Sequence, residues 1–209
     1  ELASRQLAVA DEMNYQKQLR LRELLRDLEN CVINGLASET SPEGSATTRR
    51  TMDGLLAMIR TNVMTAGTGG LPPETYLSED VLNTALRKIW MNSGSPIDLV
   101  LVPPAQKRQI NAFIGSNRRY SSSEDRFSDM VNVYESDFGV CRIVLSRYVP
   151  PGTVLLLDST RIDVLPLNGR SFFYKALASS GDRESGQLIG EYTLELRNEN
   201  AHGVITGLE

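Results

Sequence analysis

Apolar residues near the start of the chain recur at helical spacing. Leu21, Leu24, Leu25, Leu28, Cys31 and Val32 fall on one stripe, and neither Pro nor Gly interrupts Leu2 to Asn34. The pattern predicts a single helix over Leu2–Leu36, with Gly35 as its terminator. At about 1.5 Å per residue such a helix spans roughly 50 Å, more than a compact domain of this size requires. Its polar face carries Arg20, Arg22, Glu23, Arg26, Asp27 and Glu29, with Glu23 and Arg26 spaced i, i+3 for pairing. These charges read either as a solvated face or as a face that packs on a neighbouring subunit. Residue 1 is Glu, and no Ser, Thr, Asp or Asn stands ahead of Leu2 to cap the helix. The expectation is therefore that the chain is the remaining part of a longer protein.

Downstream, the periodicity shortens and alternates. Ala37–Arg50 is a polar loop, and Thr51–Asn62, with Met52, Leu55, Leu56 and Ile59, predicts a short amphipathic helix. Ala66–Pro73 is a breaker cluster. Ser78 reads as an N-cap, followed by Glu79, Asp80 and a stripe of Val81, Leu82, Leu86, Ile89 and Trp90 that stops at Asn92-Ser93-Gly94. Ile97–Val102 predicts a buried strand, and Pro104 opens a helix to about Phe113. Gly115–Asp129 is Ser- and Arg-rich and predicts an exposed loop. Strands are expected at Met130–Tyr134, Val140–Leu145 and Thr153–Leu157, the first two joined by a hairpin turn at Glu135–Gly139. Arg161–Leu165 and Ser171–Ala178 read as extended, and Ser179–Gly186 as a polar turn. Alternation from Leu188 to Arg197 predicts the longest strand, which continues past a bend at Gly203 through Val204 and Ile205. Strands gather in the second half of the chain. The pattern as a whole is an α+β plan with mostly antiparallel sheets.

Composition narrows the class. With 209 residues, 41% of them hydrophobic and 23% charged, the chain can bury a real core in one domain or in one body with two lobes. A net charge of −4 argues against a dedicated nucleic-acid binder, which needs a basic footprint. No apolar run approaches a membrane span. The two cysteines, Cys31 and Cys141, each lie in an apolar context and read as small buried hydrophobes rather than a disulfide framework.

Candidate chemistry is sparse. The one histidine, His202, sits in a bend near the end of the chain and reads as a surface or capping residue. Zinc-type spacing and a Gly-x-Ser-x-Gly elbow are both missing. Gly67-Thr68-Gly69-Gly70 is followed by Leu71-Pro72-Pro73 rather than the Lys-Ser/Thr of a phosphate loop, so it reads as a turn. Asp158, Asp163, Glu191 and Glu195 lie on predicted strands; acid/base work is one use, and a partner Arg on the next strand is the other. Arg118-Arg119-Tyr120 in the exposed loop offers cations beside an aromatic ring. This combination suits a protein contact better than a phosphate, because Glu124 and Asp125 lie close by in sequence. No catalytic residue, metal site or cofactor is expected.

The order of these segments resembles the major capsid proteins of tailed double-stranded DNA phages and prophages, the Hong Kong ninety-seven type. The same fold is shared by encapsulin shells and the herpesvirus capsid floor. The residues that carry the likeness are Glu1-Leu2-Ala3, Met52–Leu56, Leu86–Trp90, Asp98–Val102 with Pro104–Arg108, Tyr134–Gly139, and above all Gly190–Glu199 with Ala201-His202-Gly203. The resemblance implies a long spine helix in a peripheral lobe (1–48 and 158–209) and an axial lobe (49–157) with the 115–129 loop at its tip. It implies a structural virion protein that self-associates into an icosahedral shell around double-stranded DNA, forming pentamers and hexamers in full-length form. Its implied partners are its own copies, portal or scaffold proteins and, non-specifically on the inner face, packaged DNA; its site of assembly is the bacterial host cytoplasm. Candidate interface residues are Arg20, Arg22, Arg26, Arg118, Arg119 and Tyr120. The N-terminal arm and extended hairpin of that family are not found ahead of the helix, so the fragment is expected not to close a stable shell unaided. Rival readings are an encapsulin-like compartment shell, a hydrolytic enzyme on an α+β scaffold, and a tail or neck protein.

Overall fold

A computed structural model describes residues 12–39, 42–68, 70–117, 133–178, 181 and 185–209. In chain order its elements are α1 (Glu12–Asn34), α2 (Leu55–Met58), β1 (Val63–Thr65), α3 (Glu79–Ser93), β2 (Leu99–Val102), α4 (Pro104–Asn117), β3 (Val133–Ser136), β4 (Gly139–Leu145), β5 (Val154–Leu157), β6 (Ile162–Pro166), β7 (Phe173–Ala176), β8 (Gly186–Ile189), β9 (Tyr192–Leu196) and β10 (Gly203–Thr206). The chain forms two compact units, Glu1–Asp53 with Asp163–Glu195, and Gly54–Ile162 with Leu196–Glu209.

The second unit is built on a six-stranded sheet in the order β1-β10-β5-β2-β4-β3. Its central strand explains the sheet. β5 is Val-Leu-Leu-Leu, and all four side chains are buried. A strand covered on both faces reads as a continuous apolar run rather than an alternation. It pairs antiparallel with β10 (Leu155 opposite Val204) and with β2 (Val100 opposite Leu156). The strand is entered through a tight turn in which Pro151 is followed by Gly152 at φ 72°, with the Thr153 N–H donating to the Pro150 carbonyl at 3.2 Å. A Cβ at Gly152 would collide with the Leu208 carbonyl, so only Gly fits there.

Antiparallel pairings predominate, but β1 with β10 and β2 with β4 run parallel. α3 supplies one layer over the sheet. Val81, Leu82, Ala85, Leu86 and Ile89 form a core with Met64, Val100, Val102, Ile110, Cys141, Ile143, Val154, Leu156 and Ile205. The Ser78 Oγ caps α3 by accepting the Val81 N–H at 3.3 Å, and Gly94 ends the helix in the left-handed region at φ 67°. α4 starts at Pro104 as expected and runs past Phe113 to Asn117. The expected loop tip, including Arg118, Arg119 and Tyr120, lies outside the described residues.

In the first unit, β7 and β8 form an antiparallel hairpin, and β6 pairs with β9. The expected long strand from Leu188 to Arg197 is two strands. β8 bonds to β7, and the chain then changes partner at Gly190-Glu191 and bonds to β6 as β9. At the break the Glu191 backbone bonds to Leu167 and Arg170 instead of to β7. The Phe172 ring occupies the space a side chain at position 190 would need, and it stacks on Tyr192 with centroids 4.8 Å apart. β10 is likewise a separate strand, in the sheet of the second unit.

Other expectations are corrected. The Thr51–Asn62 helix shrinks to α2, because the chain turns extended at Ile59 (ψ 115°). β1 lies where no strand was expected. Trp90, expected in the apolar stripe of α3, is 48% exposed and leans on Phe138 with centroids 6.1 Å apart.

The double-sided burial of β5 sets a measurable cost. Leu156→Ala is expected to destabilise the second unit by about 2–5 kcal/mol through lost transfer energy and a residual cavity, whereas Leu145→Ala, at an exposed position, should stay within about 0.5 kcal/mol. Urea unfolding followed by Trp90 fluorescence compares the two.

Candidate assembly surface

Of the helix expected over Leu2–Leu36, residues 2–11 lie outside the described residues; at the other end the Gly35 N–H closes α1 onto the Cys31 carbonyl at 2.8 Å. The apolar stripe of the helix is only partly covered. Leu21, Leu24, Leu28 and Val32 are half-buried, Leu25 is 48% exposed, and Leu36 just beyond the helix is 75% exposed. Cys31, expected to be buried, is exposed. Cys141 is buried as expected; its Sγ donates to the Ile97 carbonyl at 3.2 Å, and burial pushes its pKa up to about 11.

One side of α1 faces two open grooves of about 580 and 360 Å³. Met13, Lys17, Arg20 and Leu24 line the larger, together with Tyr174 and Leu188. Leu24, Leu28, Cys31 and Leu36 line the smaller, with Phe172 and Tyr192. The Lys17 ammonium sits 4.0 Å from the centre of the Tyr174 ring, a cation–π contact. Gly186 lets that ring lie across β8, since a Cβ there would meet it.

The three candidate arginines of the helix do not act as one group. Arg20 lines the larger groove and pairs with Glu23 at 2.6 Å, so Glu23 bonds backward to Arg20 rather than forward to Arg26. Both partners are well exposed, and such pairs contribute about 0–1 kcal/mol. Arg22 and Arg26 are exposed. At about 100° per residue they project from the opposite side of the helix, one turn apart. Arg118, Arg119 and Tyr120 lie outside the described residues.

Of the strand carboxylates, Glu191 is clamped by two guanidinium groups. Arg50 reaches one oxygen at 2.6 Å and Arg170 the other at 2.9 Å. A partner Arg was one of its two expected uses, and its position on the chain was the available signal. Asp158 bonds the Thr160 amide and hydroxyl and pairs with Arg161 at 2.9 Å. Burial raises its pKa, but the Thr160 and Arg161 bonds outweigh this and hold it below the usual carboxylate value. Arg161 also donates to the Ser95 Oγ at 2.8 Å.

His202, expected at the surface or as a cap, is fully buried. Its Nδ1 accepts the Asp158 N–H at 3.2 Å, and its carbonyl accepts from the Asn62 side-chain amide at 2.9 Å. That amide also reaches the Asn200 carbonyl at 2.8 Å, and the Asn62 Oδ1 accepts from Asn92 at 2.7 Å. Nearby, the Glu199 carboxylate accepts the Arg60 and Thr61 amides and the Thr61 hydroxyl. The cluster ties the chain ahead of β10 to the chain ahead of β1. Sequence reading missed it because each member is an ordinary polar residue far from the others along the chain. Its carboxylates are held by amides, hydroxyls and an arginine, and no group of three or more metal-type side chains occurs among the described residues.

The described residues form a mixed sheet with flanking helices and a groove-lined helix whose apolar stripe is partly uncovered. The fold is that of shell-forming proteins. It is similar to the holo-SrpI encapsulin complex from Synechococcus elongatus, with a TM-score of 0.63 at 15% identity, covering 100% of this chain and 70% of that one. It is also similar to the satellite phage P4 procapsid including size determination (Sid) protein, with a TM-score of 0.58 at 15% identity, covering 100% of this chain and 66% of that one. The chain belongs to the SU10 major capsid protein family, whose model matches residues 1–209. It is a structural shell subunit of a phage capsid family. No curated protein sequence matches it.

The buried histidine makes stability depend on pH. Burial, with Arg161, lowers the His202 pKa against the Arg197 carbonyl, Asp158 and Glu199, which raise it. The folded state therefore prefers neutral imidazole, and the unfolded state binds the proton first. The stabilisation is complete above about pH 6.5, the free imidazole value, and falls as the pH drops below it. Asp158 and Glu199, both held below their usual values, add a second loss as the pH falls through the carboxylate range. Melting temperatures from pH 8 downward should show the first loss in the native protein and a flattened one in His202→Gln.

Proposed function

We propose that this chain is the major head subunit of a tailed phage or prophage and that it assembles with copies of itself into an icosahedral shell around double-stranded DNA. The observation that carries this reading is the contrast in burial between the two units. Among the described residues of the first unit, the buried hydrophobics are Ile33 and Leu194. Tyr15, Leu25, Leu36, Val164, Leu165, Leu167, Phe173, Tyr174 and Leu177 are all exposed there. A unit that buries so few of its apolar side chains by itself can cover the rest against other chains. A shell supplies those chains as repeated heterologous neighbours whose contacts close when their angles suit a point group.

In this reading the first unit acts as the peripheral lobe. The second, with its complete core, acts as the axial lobe that meets its copies in pentamers and hexamers. Arg22 and Arg26 contact a neighbour's acidic surface. Portal and scaffold proteins are further partners, and packaged DNA touches the inner face without sequence preference. A net charge of −4 keeps that contact from becoming a trap. Assembly takes place in the host cytoplasm, and the mature location is the virion. An encapsulin-type compartment is the second reading, favoured by the fold likeness to the Synechococcus elongatus shell; the family match favours the capsid.

Electron micrographs of the protein expressed alone or with its scaffold should show closed shells, and ring-shaped oligomers would overturn the reading. Reversing Arg22 and Arg26 to Glu together should raise the concentration threshold for assembly about tenfold or more, because a weakened contact is repeated across every subunit. Light scattering against subunit concentration measures the threshold.

A further inference from the structure

The chain contains two Asn-Gly pairs, Asn34-Gly35 and Asn168-Gly169, and the structure holds them in opposite states. Asn-Gly is the dipeptide most open to spontaneous amide loss, because glycine offers no side chain to shield its backbone nitrogen from the neighbouring carboxamide. Whether the reaction occurs in a folded protein depends on whether that nitrogen and that carboxamide are free to meet.

At the end of α1 neither is free. The Asn34 side chain donates to the Asn30 Oδ1 at 2.9 Å, and the Gly35 N–H donates to the Cys31 carbonyl at 2.8 Å. Both residues are partly buried. In the turn between β6 and β7 the arrangement is reversed. Asn168 and Gly169 are exposed, and neither the Asn168 carboxamide nor the Gly169 N–H has a hydrogen-bond partner among the described residues. Gly169 sits in the left-handed region at φ 73°, and a Cβ built on it would meet nothing within 4 Å, so the space beside its Cα is open. The turn itself is held from its flanks. The Arg170 N–H donates to the Leu167 carbonyl at 2.7 Å, the Leu167 N–H to the Glu191 carbonyl at 2.9 Å, and the Glu191 N–H to the Arg170 carbonyl at 3.0 Å.

We propose that Asn168 is a site of spontaneous deamidation in the folded protein and that Asn34 is protected. The Gly169 backbone nitrogen attacks the Asn168 Cγ and loses its proton to solvent. The C–N bond of the carboxamide breaks, and ammonia leaves. The five-membered succinimide that remains is opened by one water molecule at either carbonyl, giving aspartate or isoaspartate at position 168. Nothing is oxidised or reduced; one water is consumed and one ammonia released. Aspartate adds a negative charge beside Arg170, whose guanidinium already holds Glu191. Isoaspartate adds a methylene to the main chain, so the bond from the Arg170 amide to the Leu167 carbonyl can no longer close the turn. The site thus ages a surface of the first unit that carries Leu165, Leu167 and Phe173 exposed.

The full 209-residue chain, incubated at neutral and mildly alkaline pH, should gain the one-dalton mass shift in the peptide spanning Asn168, with an isoaspartate fraction detected by isoaspartyl methyltransferase labelling. The rate should rise with pH, since the attacking nitrogen must lose its proton. Asn34 should react at least about tenfold more slowly, because two hydrogen bonds must open first. In urea the same two peptides should react at similar rates. Asn168→Gln, whose longer side chain would close a less favoured ring, should remove the signal and leave the Asn34 peptide unchanged. Equal rates at the two sites in the folded chain would overturn the proposal. So would an intact Asn168 after the time in which the urea sample has reacted.

Discussion

The burial of β5 on both faces is the constraint from which the second unit follows. Four consecutive apolar side chains, Val154 to Leu157, cannot be satisfied by one layer. Val154 and Leu156 take the α3 side, where Leu82, Leu86 and Ile89 close over them. Leu155 and Leu157 are equally buried on the other side. Each fully buried aliphatic side chain contributes about 1.5–3 kcal/mol, so a strand placed this way outweighs the modest propensities of its neighbours. It recruits β10 on one edge and β2 on the other, and the parallel partners β1 and β4 extend the sheet outward from those two. Among its described residues the first unit has no such strand. Its hairpin β7–β8 is exposed at every position of β7, and among the described residues of its long helix Ile33 alone is buried.

A second constraint keeps the closing segment in register. β10 reaches the sheet from far along the chain, and its neighbour β1 has only three residues. So short a parallel pairing is weak by itself. The Asn62, Asn92 and His202 bonds, with the Glu199 carboxylate on the Arg60 and Thr61 amides, supply what the ladder lacks. A buried polar network favours one arrangement, because a slip strands further donors and acceptors in a medium that cannot solvate them. His202 is therefore better understood as the acceptor for the Asp158 amide than as a reactive group.

Much of this was legible in the sequence wherever one local signal was strong. Ser78 followed by two acidic residues and a five-residue stripe marks α3 almost to the residue, and Gly94 marks its end. The unbroken apolar run marks β5, and Pro104 the start of α4. Legibility failed where the deciding partner is distant. Val63–Thr65 is too short to show alternation and is a strand only because Val204–Thr206 lies beside it. The alternation from Leu188 to Arg197 is real, but the backbone bonds of Glu191 to Leu167 and Arg170 divide it. The exposure of Cys31 and Trp90 was hidden for a related reason. A helical stripe states which side chains share a face and leaves open how much of that face its own chain covers. Of the candidate interface, the position of each helix arginine followed from spacing, while the pairing of Glu23 with Arg20 needed rotamers that the pattern does not contain.

That last gap is informative about the kind of protein this is. A monomeric domain of ordinary composition closes its own apolar stripes, because uncovered ones invite aggregation. Here the second unit buries a large core of its own, while the buried hydrophobics among the described residues of the first are Ile33 and Leu194, although the composition is ordinary for the whole. The difference cannot come from a shortage of apolar residues, since Leu165, Leu167, Phe173 and Leu177 all lie in the first unit and are exposed. In a member of a capsid family this distribution has a physical use. A subunit whose core is complete in one unit can fold before it meets a partner, while the unfinished unit gains its stabilisation only in company. Assembly then completes folding energetically, and modest single contacts suffice because many copies share them.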